Sequence, residues 1–183
     1  MSLLVGNKAP VFKGKAVVGG NSANLNPDNA FKQISLEDYK GKWVVFFFYP
    51  LDFTFVCPTE IASMGNHYAE FQKLNAEVIG CSTDSHHSHL AWRIHEKDLK
   101  TLPYPLLADF TGEVSRSYEV YKGDTGYALR GLYIIDPDGV MQYSVIHPEN
   151  VGRNAEEVLR VLAALQTGEK TACGWKPGDK TLG

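Results

Sequence analysis

The first strong signal along the chain is an unbroken apolar run, Trp43-Val44-Val45-Phe46-Phe47-Phe48-Tyr49, set between Lys40-Gly41-Lys42 and Pro50. Its length and lack of alternation predict a strand covered on both faces, as in a parallel sheet. The rhythm then changes. From Glu60 to Leu74, Ile61, Met64, Tyr68 and Phe71 recur at spacings of three and four, the stripe of an amphipathic helix. Glu77-Val78-Ile79-Gly80-Cys81-Ser82 reads as the next buried strand, completing a right-handed strand–helix–strand unit. Ser85 to Lys97 predicts a helix with Leu90, Ala91 and Ile94 inward. Residues 98 to 130 form a mixed connection rich in Pro, Gly and Asp.

Gly131 to Asp136 predicts a strand, and Asp136-Pro137-Asp138-Gly139 has turn chemistry, with proline presetting φ at its second position. Val140 to Ile146 would return as its hairpin partner. Asn154-Ala155-Glu156-Glu157 carries the N-cap residue and third-position Glu of a helix start. Ala155, Val158, Leu162 and Leu165 supply that helix's apolar face. The order strand–helix–strand, insertion, strand–strand–helix is that of an α/β, thioredoxin-like fold with an N-terminal extension and an insertion after the second core strand. Residues 1–166 are expected to form one domain. Residues 167–183, rich in Gly and Lys, are expected to form a loosely held, mobile C-terminal tail.

Composition narrows the function. Of 183 residues, 44% are hydrophobic and 21% charged, with a formal net charge of −3 and no long run of one sign. That is enough chain for a real core, and no electrostatic footprint points to nucleic acid or a membrane surface. No segment approaches the about 20 apolar residues of a membrane helix, and the first residues lack a basic, apolar leader. The default expectation is a cytoplasmic protein.

Three cysteines, Cys57, Cys81 and Cys173, are widely spaced and odd in number. They suit neither a secreted disulfide framework nor a zinc site. Cys57 lies just beyond the carboxyl end of the first core strand and at the amino end of its helix. Ligands collect at such strand ends. The helix start also directs unpaired N–H groups and partial positive charge at the sulfur, favouring its anionic form. Pro58 suits a first helical turn, and the Thr54 hydroxyl could reach the sulfur. A packed cysteine, a peroxidase nucleophile and a thiol–disulfide exchanger all remain open on these local facts.

A longer pattern goes further. Pro50-Leu51-Asp52-Phe53-Thr54-Phe55-Val56-Cys57 matches the P-x-x-x-T-x-x-C signature of peroxiredoxins. Extended from Phe48 to Glu60, it resembles the typical two-cysteine branch, that of the alkyl hydroperoxide reductase and thiol-specific antioxidant proteins. Asp84-Ser85, Ser88-His89-Leu90-Ala91-Trp92, Arg130 to Asp136 and Val151-Gly152-Arg153 continue the likeness from about Gly6 to Gly178. The resemblance implies a thiol-dependent peroxidase with Cys57 as the peroxidatic cysteine. It implies that Pro50 shields the sulfur from water, that Thr54 and Arg130 polarise the peroxide and hold the thiolate, and that Glu60 and Arg153 form a supporting pair. No cofactor is implied.

The same resemblance implies that Cys173, in Thr171-Ala172-Cys173-Gly174-Trp175, is the resolving cysteine of a partner subunit, giving an intersubunit Cys57–Cys173 disulfide. Here the chain departs from the typical pattern, which has Val-Cys-Pro and a tryptophan four residues after the cysteine; Trp175 is only two after Cys173. The implied assembly is a homodimer able to build a ring of five dimers. The implied reductant is a thioredoxin-type protein or a flavoprotein disulfide reductase. The Gly-Gly-Leu-Gly loop and Tyr-Phe helix of sensitive eukaryotic members have no counterpart, which implies a fast-opening site that resists over-oxidation. Two other readings stand beside this one. A thiol–disulfide exchanger would want Cys-x-x-Cys, but Glu60 occupies the second cysteine's place; a holdase chaperone would not depend on Cys57.

Cys81 is expected to be a packed, inert strand residue. His86, His87 and His89 invite a metal reading, but neighbouring helical positions point in different directions, so no metal site is expected. No glycine-rich phosphate loop follows a strand.

Overall fold

The computed structural model describes residues 4–183. The chain begins with β1 (Lys13–Val17), β2 (Phe31–Ser35) and β3 (Trp43–Phe48), then α1 (Cys57–Asn66), α2 (Tyr68–Lys73), β4 (Ala76–Ser82) and α3 (His86–His95). There follow β5 (Leu106–Ala108), α4 (Glu113–Ser117), β6 (Tyr121–Lys122), β7 (Tyr127–Ala128), β8 (Arg130–Ile135), β9 (Met141–His147) and α5 (Ala155–Thr167). Seven strands form one sheet in the order β2-β1-β5-β4-β3-β8-β9, and β6 and β7 make a small separate hairpin. β3, β4 and β5 are mutually parallel neighbours, while β8 and β9 run antiparallel beyond β3.

The unbroken apolar run of β3 follows from this central place. Val45, Phe47 and Tyr49 enter one core with Ile61, Met64, Phe71, Val158 and Leu162. Val44, Phe46 and Phe48 enter a second core with Phe12, Cys81, Tyr118 and Tyr133. A strand with helices and loops on both faces has no polar side to show. The core strands expected from sequence are all present within a residue of their expected ends. Asn154 caps α5 as expected, its side chain accepting from the Glu156 and Glu157 N–H groups.

Four expectations are revised. The helix expected over 60–74 begins at Cys57 and breaks at His67, whose ring bonds the Ser63 carbonyl at 2.9 Å next to the weakly helical Gly65-Asn66 pair. The N-terminal extension and the 98–130 insertion are not merely connections: they add β1, β2 and β5 to the main sheet, and the insertion also carries α4 and the β6–β7 hairpin. On α3 the inward face carries Leu90 with His89, Trp92 and Arg93, while Ala91 and Ile94 face solvent. Polar groups can occupy that face because most of their polar atoms find partners: Arg93 donates through its two Nη groups to the Val18, Gly20 and Leu102 carbonyls, leaving its Nε without a partner among the described residues.

The tail is also held more firmly than its composition suggests. Trp175 is buried, its indole N–H donates to the Asp179 carbonyl at 3.1 Å, and its own carbonyl accepts from Arg160 of α5 at 3.0 Å. Among the described residues no helix is long and apolar enough to cross a membrane.

The second core generates a stability prediction. Phe46 is fully buried and packs its ring within 4.5 Å of Phe12, 4.8 Å of Phe48 and 5.1 Å of Tyr118, centroid to centroid. Phe46→Ala is expected to cost about 3–5 kcal/mol in chemical denaturation.

Candidate active site

β3 delivers Tyr49 and Pro50, both buried, to a loop that ends at Cys57, the first residue of α1. Cys57 is fully buried. Its nearest charged neighbour comes from the adjacent strand. β8 pairs antiparallel with β3 in the register Phe47↔Leu132. Arg130, two residues before Leu132, therefore lies at the end of the sheet where β3 hands the chain to the Cys57 loop. Its Nη1 sits 3.5 Å from Cys57 Sγ.

Arg130 is not a solvated surface arginine; it is 2% exposed. Its Nε donates to the Glu149 carbonyl at 2.7 Å and its Nη1 to Glu60 Oε2 at 2.5 Å. Glu60, one turn along α1 from Cys57, also accepts from the Arg153 N–H at 2.7 Å, Nε at 2.8 Å and Nη2 at 3.1 Å. Arg153 anchors itself further on the Gly131 carbonyl at 2.6 Å. Its role is thus to hold Glu60, and through Glu60 to hold Arg130; none of these bonds reaches the sulfur.

The charge count of this buried cluster is informative. Arg130 and Arg153 contribute two positive charges and Glu60 one negative charge, all at 7% exposure or less. An unbalanced buried charge is costly. A negative sulfur at Cys57, within reach of Arg130, brings the sum to zero. The helix start adds unpaired N–H groups on the same side.

Thr54 behaves differently from expectation. Its hydroxyl donates to the Leu51 carbonyl at 2.9 Å, so its proton serves the loop rather than the sulfur. The oxygen's lone pairs remain able to accept from a bound O–H. Cys81 lies in the second core, on the opposite face of the sheet from Cys57, where burial, with help from Asp109, pushes its thiol well above the ordinary range. Cys173 is exposed and free, as Cys57 is free and buried; the chain does not bring the two sulfurs together in this structure. The His86 and His87 rings lie 4.3 Å apart, tilted by 37°, and meet Phe31 edge-on, whereas His89 turns into the protein, so the three rings do not converge.

Two features went unread in the sequence. Glu149 orients Arg130 through its backbone carbonyl, which leaves no mark on residue type. Asp52 and His89 form a buried pair at 2.8 Å beside the Cys57 loop. The signal for His89 was its place one turn before Trp92 and Arg93 on a helix face that proves to be inward.

Glu60 gives the site a pH signature. Burial alone would raise its carboxyl pKa, but the Arg153 hydrogen bonds and the charges of Arg153 and Arg130 outweigh burial and hold it below the ordinary value of 4.5. A depressed folded-state pKa means that the stabilisation is complete above the unfolded value and is lost as pH falls through the folded one. Denaturation midpoints are expected to drop on acidification from about pH 5 to pH 3, and Glu60→Gln is expected to flatten that part of the profile.

The chain was compared with known proteins. A family model described as the AhpC/TSA family matches residues 5–144. A putative peroxiredoxin of Bacillus subtilis, YkuU, is 50% identical over 184 residues, covering 98% of each chain. The reduced 2-Cys peroxiredoxin of Plasmodium vivax superposes with a TM-score of 0.89 at 34% identity, over 98% of this chain and 93% of that one. AhpC of Mycobacterium bovis superposes with a TM-score of 0.88 at 42% identity, over 96% of this chain and 100% of that one. With its Cys57 site at the end of β3, its thioredoxin-like sheet and this similarity along nearly its whole length, the chain belongs to the AhpC/TSA family.

Proposed function

We propose that this protein, a thiol-dependent peroxidase, reduces hydrogen peroxide and organic hydroperoxides at Cys57. The observation that carries the assignment to this residue is the buried sulfur 3.5 Å from Arg130 Nη1, inside a cluster one negative charge short of balance. The Cys57 thiolate attacks one peroxide oxygen. An S–O bond forms, the O–O bond breaks, and the sulfur loses two electrons to become a sulfenic acid. The departing oxygen takes up a proton and leaves as water or an alcohol.

Arg130 stabilises charge as it moves from sulfur to the departing oxygen; a guanidinium stays protonated and holds a fixed fork of donors. Pro50, buried and without an N–H, closes the water side of the site. Thr54 accepts from the peroxide O–H while its own proton keeps the loop closed on Leu51. Glu60 and Arg153 hold Arg130 in place.

Cys173 of a partner subunit then condenses with the sulfenic acid, expelling water and leaving an intersubunit disulfide. Because Cys57 is fully buried and Cys173 exposed, the loop and first turn of α1 must open for the two sulfurs to bond. β9, an edge of the sheet, offers unpaired backbone groups on which a second copy can add. A thioredoxin-type protein or a flavoprotein disulfide reductase restores the thiols, and three free cysteines suit a reducing cytoplasmic setting.

Peroxide consumption is expected to vanish in Cys57→Ser and to slow by about 10²–10³-fold in Arg130→Gln, the usual loss when a transition-state donor is removed. Non-reducing electrophoresis after one equivalent of peroxide should show a dimer band in wild type that is absent from both Cys57→Ser and Cys173→Ser. A band that persists in Cys173→Ser would sink the resolving role. Mass spectrometry after excess peroxide without reductant should find disulfide at Cys57; abundant sulfinate there would contradict a fast-opening site.

A further inference from the structure

A second buried polar cluster lies behind the Cys57 loop and takes no part in the chemistry above. Asp52, in the loop between Pro50 and Cys57, is 7% exposed and His89 on α3 is fully buried. Asp52 Oδ2 lies 2.8 Å from His89 Nδ1 and accepts from the Ser88 hydroxyl at 2.7 Å; its Oδ1 accepts from the Tyr49 hydroxyl at 3.0 Å. The other ring nitrogen of His89 reaches the Leu107 carbonyl of β5 at 3.2 Å. The Asp52 backbone N–H donates to Asp84 Oδ2 at 2.9 Å, and the Ser82 hydroxyl donates to the same oxygen at 2.8 Å. One loop residue is thereby tied to β4, β5, α3 and the end of β3.

The residue after it is strained. Phe53 has φ 56°, a left-handed conformation that is costly for a bulky side chain, and its ring leans on Trp92 with centroids 6.0 Å apart. Such strain persists only where the surroundings over-determine the backbone. Phe53 itself is 57% exposed, so the ring contact is a weak restraint. The buried hydrogen bonds of Asp52, immediately before it, are the strong one. Inside the protein a satisfied polar network of this kind is rigid, and removing one member leaves the others unpaired.

We propose that Asp52 and His89 are positioning residues for the two sulfur steps: their pair pins the strained loop 51–56 in the one arrangement that presents Cys57 to Arg130, and its release lets the loop open toward Cys173. The inference rests on Cys57 as the peroxide-reducing residue. It assigns the pair opposite effects on successive steps. A tight pin favours oxidation of the sulfur, because displacement of a reacting atom by about 1 Å can cost up to 10²-fold in rate. The same pin opposes disulfide formation, which needs the buried sulfur uncovered.

The test separates the steps. In a Cys173→Ser background, rapid quenching and trapping of the sulfenic acid reads the rate of Cys57 oxidation; in the Cys173-containing protein, the same quench reads disulfide formation from oxidised enzyme. Asp52→Ala is expected to slow oxidation about tenfold or more and to speed disulfide formation. Asp52→Asn is expected to recover part of both rates, since its single amide oxygen still accepts from the Ser88 hydroxyl while its NH2, standing in place of Oδ1, can donate to His89 or to the Tyr49 oxygen. Should Asp52→Ala fail to fold, Ser88→Ala and His89→Gln carry the same comparison with smaller changes of the same signs.

A variant with a lower unfolding midpoint but both rates unchanged well below its transition would reduce the pair to ordinary core structure and overturn the proposal. A fall in both rates together would overturn it as well. If instead wild-type Cys57 reacts with peroxide no faster than free cysteine, the peroxidase reading fails and the pin goes with it. That outcome is recognisable from the wild-type protein alone.

Discussion

The structure turns on one buried carboxylate shared between two guanidinium groups. Glu60 takes hydrogen bonds from both Arg130 and Arg153. Without it, two like charges would face each other in the core; with it, they are held at fixed positions and still carry one unit of uncompensated positive charge. Removing one partner of such a buried set costs about 3–5 kcal/mol. The site is therefore a place where stability and reactivity share the same atoms. The positive excess that makes the cluster expensive is also what a negative sulfur relieves.

Sheet geometry makes that arrangement available. Arg130 stands at the start of β8, Glu60 in the first turns of α1, and Arg153 just before α5. The antiparallel pairing of β8 with β3 brings the beginning of one strand to the end of the other. α1 starts at that same end because the loop after β3 turns directly into it. Arg153 reaches back to the Gly131 carbonyl on β8 and over the Phe47 ring of β3 at 5.3 Å, so it ties the segment before α5 to both strands. Three distant stretches thus meet within one helical turn of Cys57.

Around this fixed centre the protein keeps a loop under tension. Phe53 is strained, Thr54 holds the loop to itself through Leu51, and Asp52 anchors it from behind. The tail that bears Cys173 is likewise held, by Trp175 and Arg160, yet leaves its own sulfur exposed. The loop before Cys57 and the tail around Cys173, the two segments that the proposed disulfide would join, are held by identifiable hydrogen bonds together with the burial of Cys57 and Trp175. Contacts of that kind open locally without unfolding the sheet.

The amino-acid sequence by itself determined the core strands, the position of Cys57 at a strand-to-helix junction, and, through the extended pattern from Phe48 to Glu60, the family resemblance. These are legible because they rest on local spacing: apolar runs, helical stripes and motif residues close together in the chain. The tertiary structure decided the rest. For Arg130, Glu60 and Arg153, which the resemblance had already named, it supplied the distances and the hydrogen bonds; it also turned the Thr54 hydroxyl toward Leu51, buried His89 and Arg93 where Ala91 and Ile94 were expected, and fastened the tail. Each of those outcomes depends on which backbone carbonyls and carboxylates come within about 3 Å of a polar group. Cys57 and Arg130 stand 73 residues apart, and Glu60 and Arg153 stand 93 apart. Such partners leave no periodic trace in the chain; they become neighbours only when the sheet is assembled.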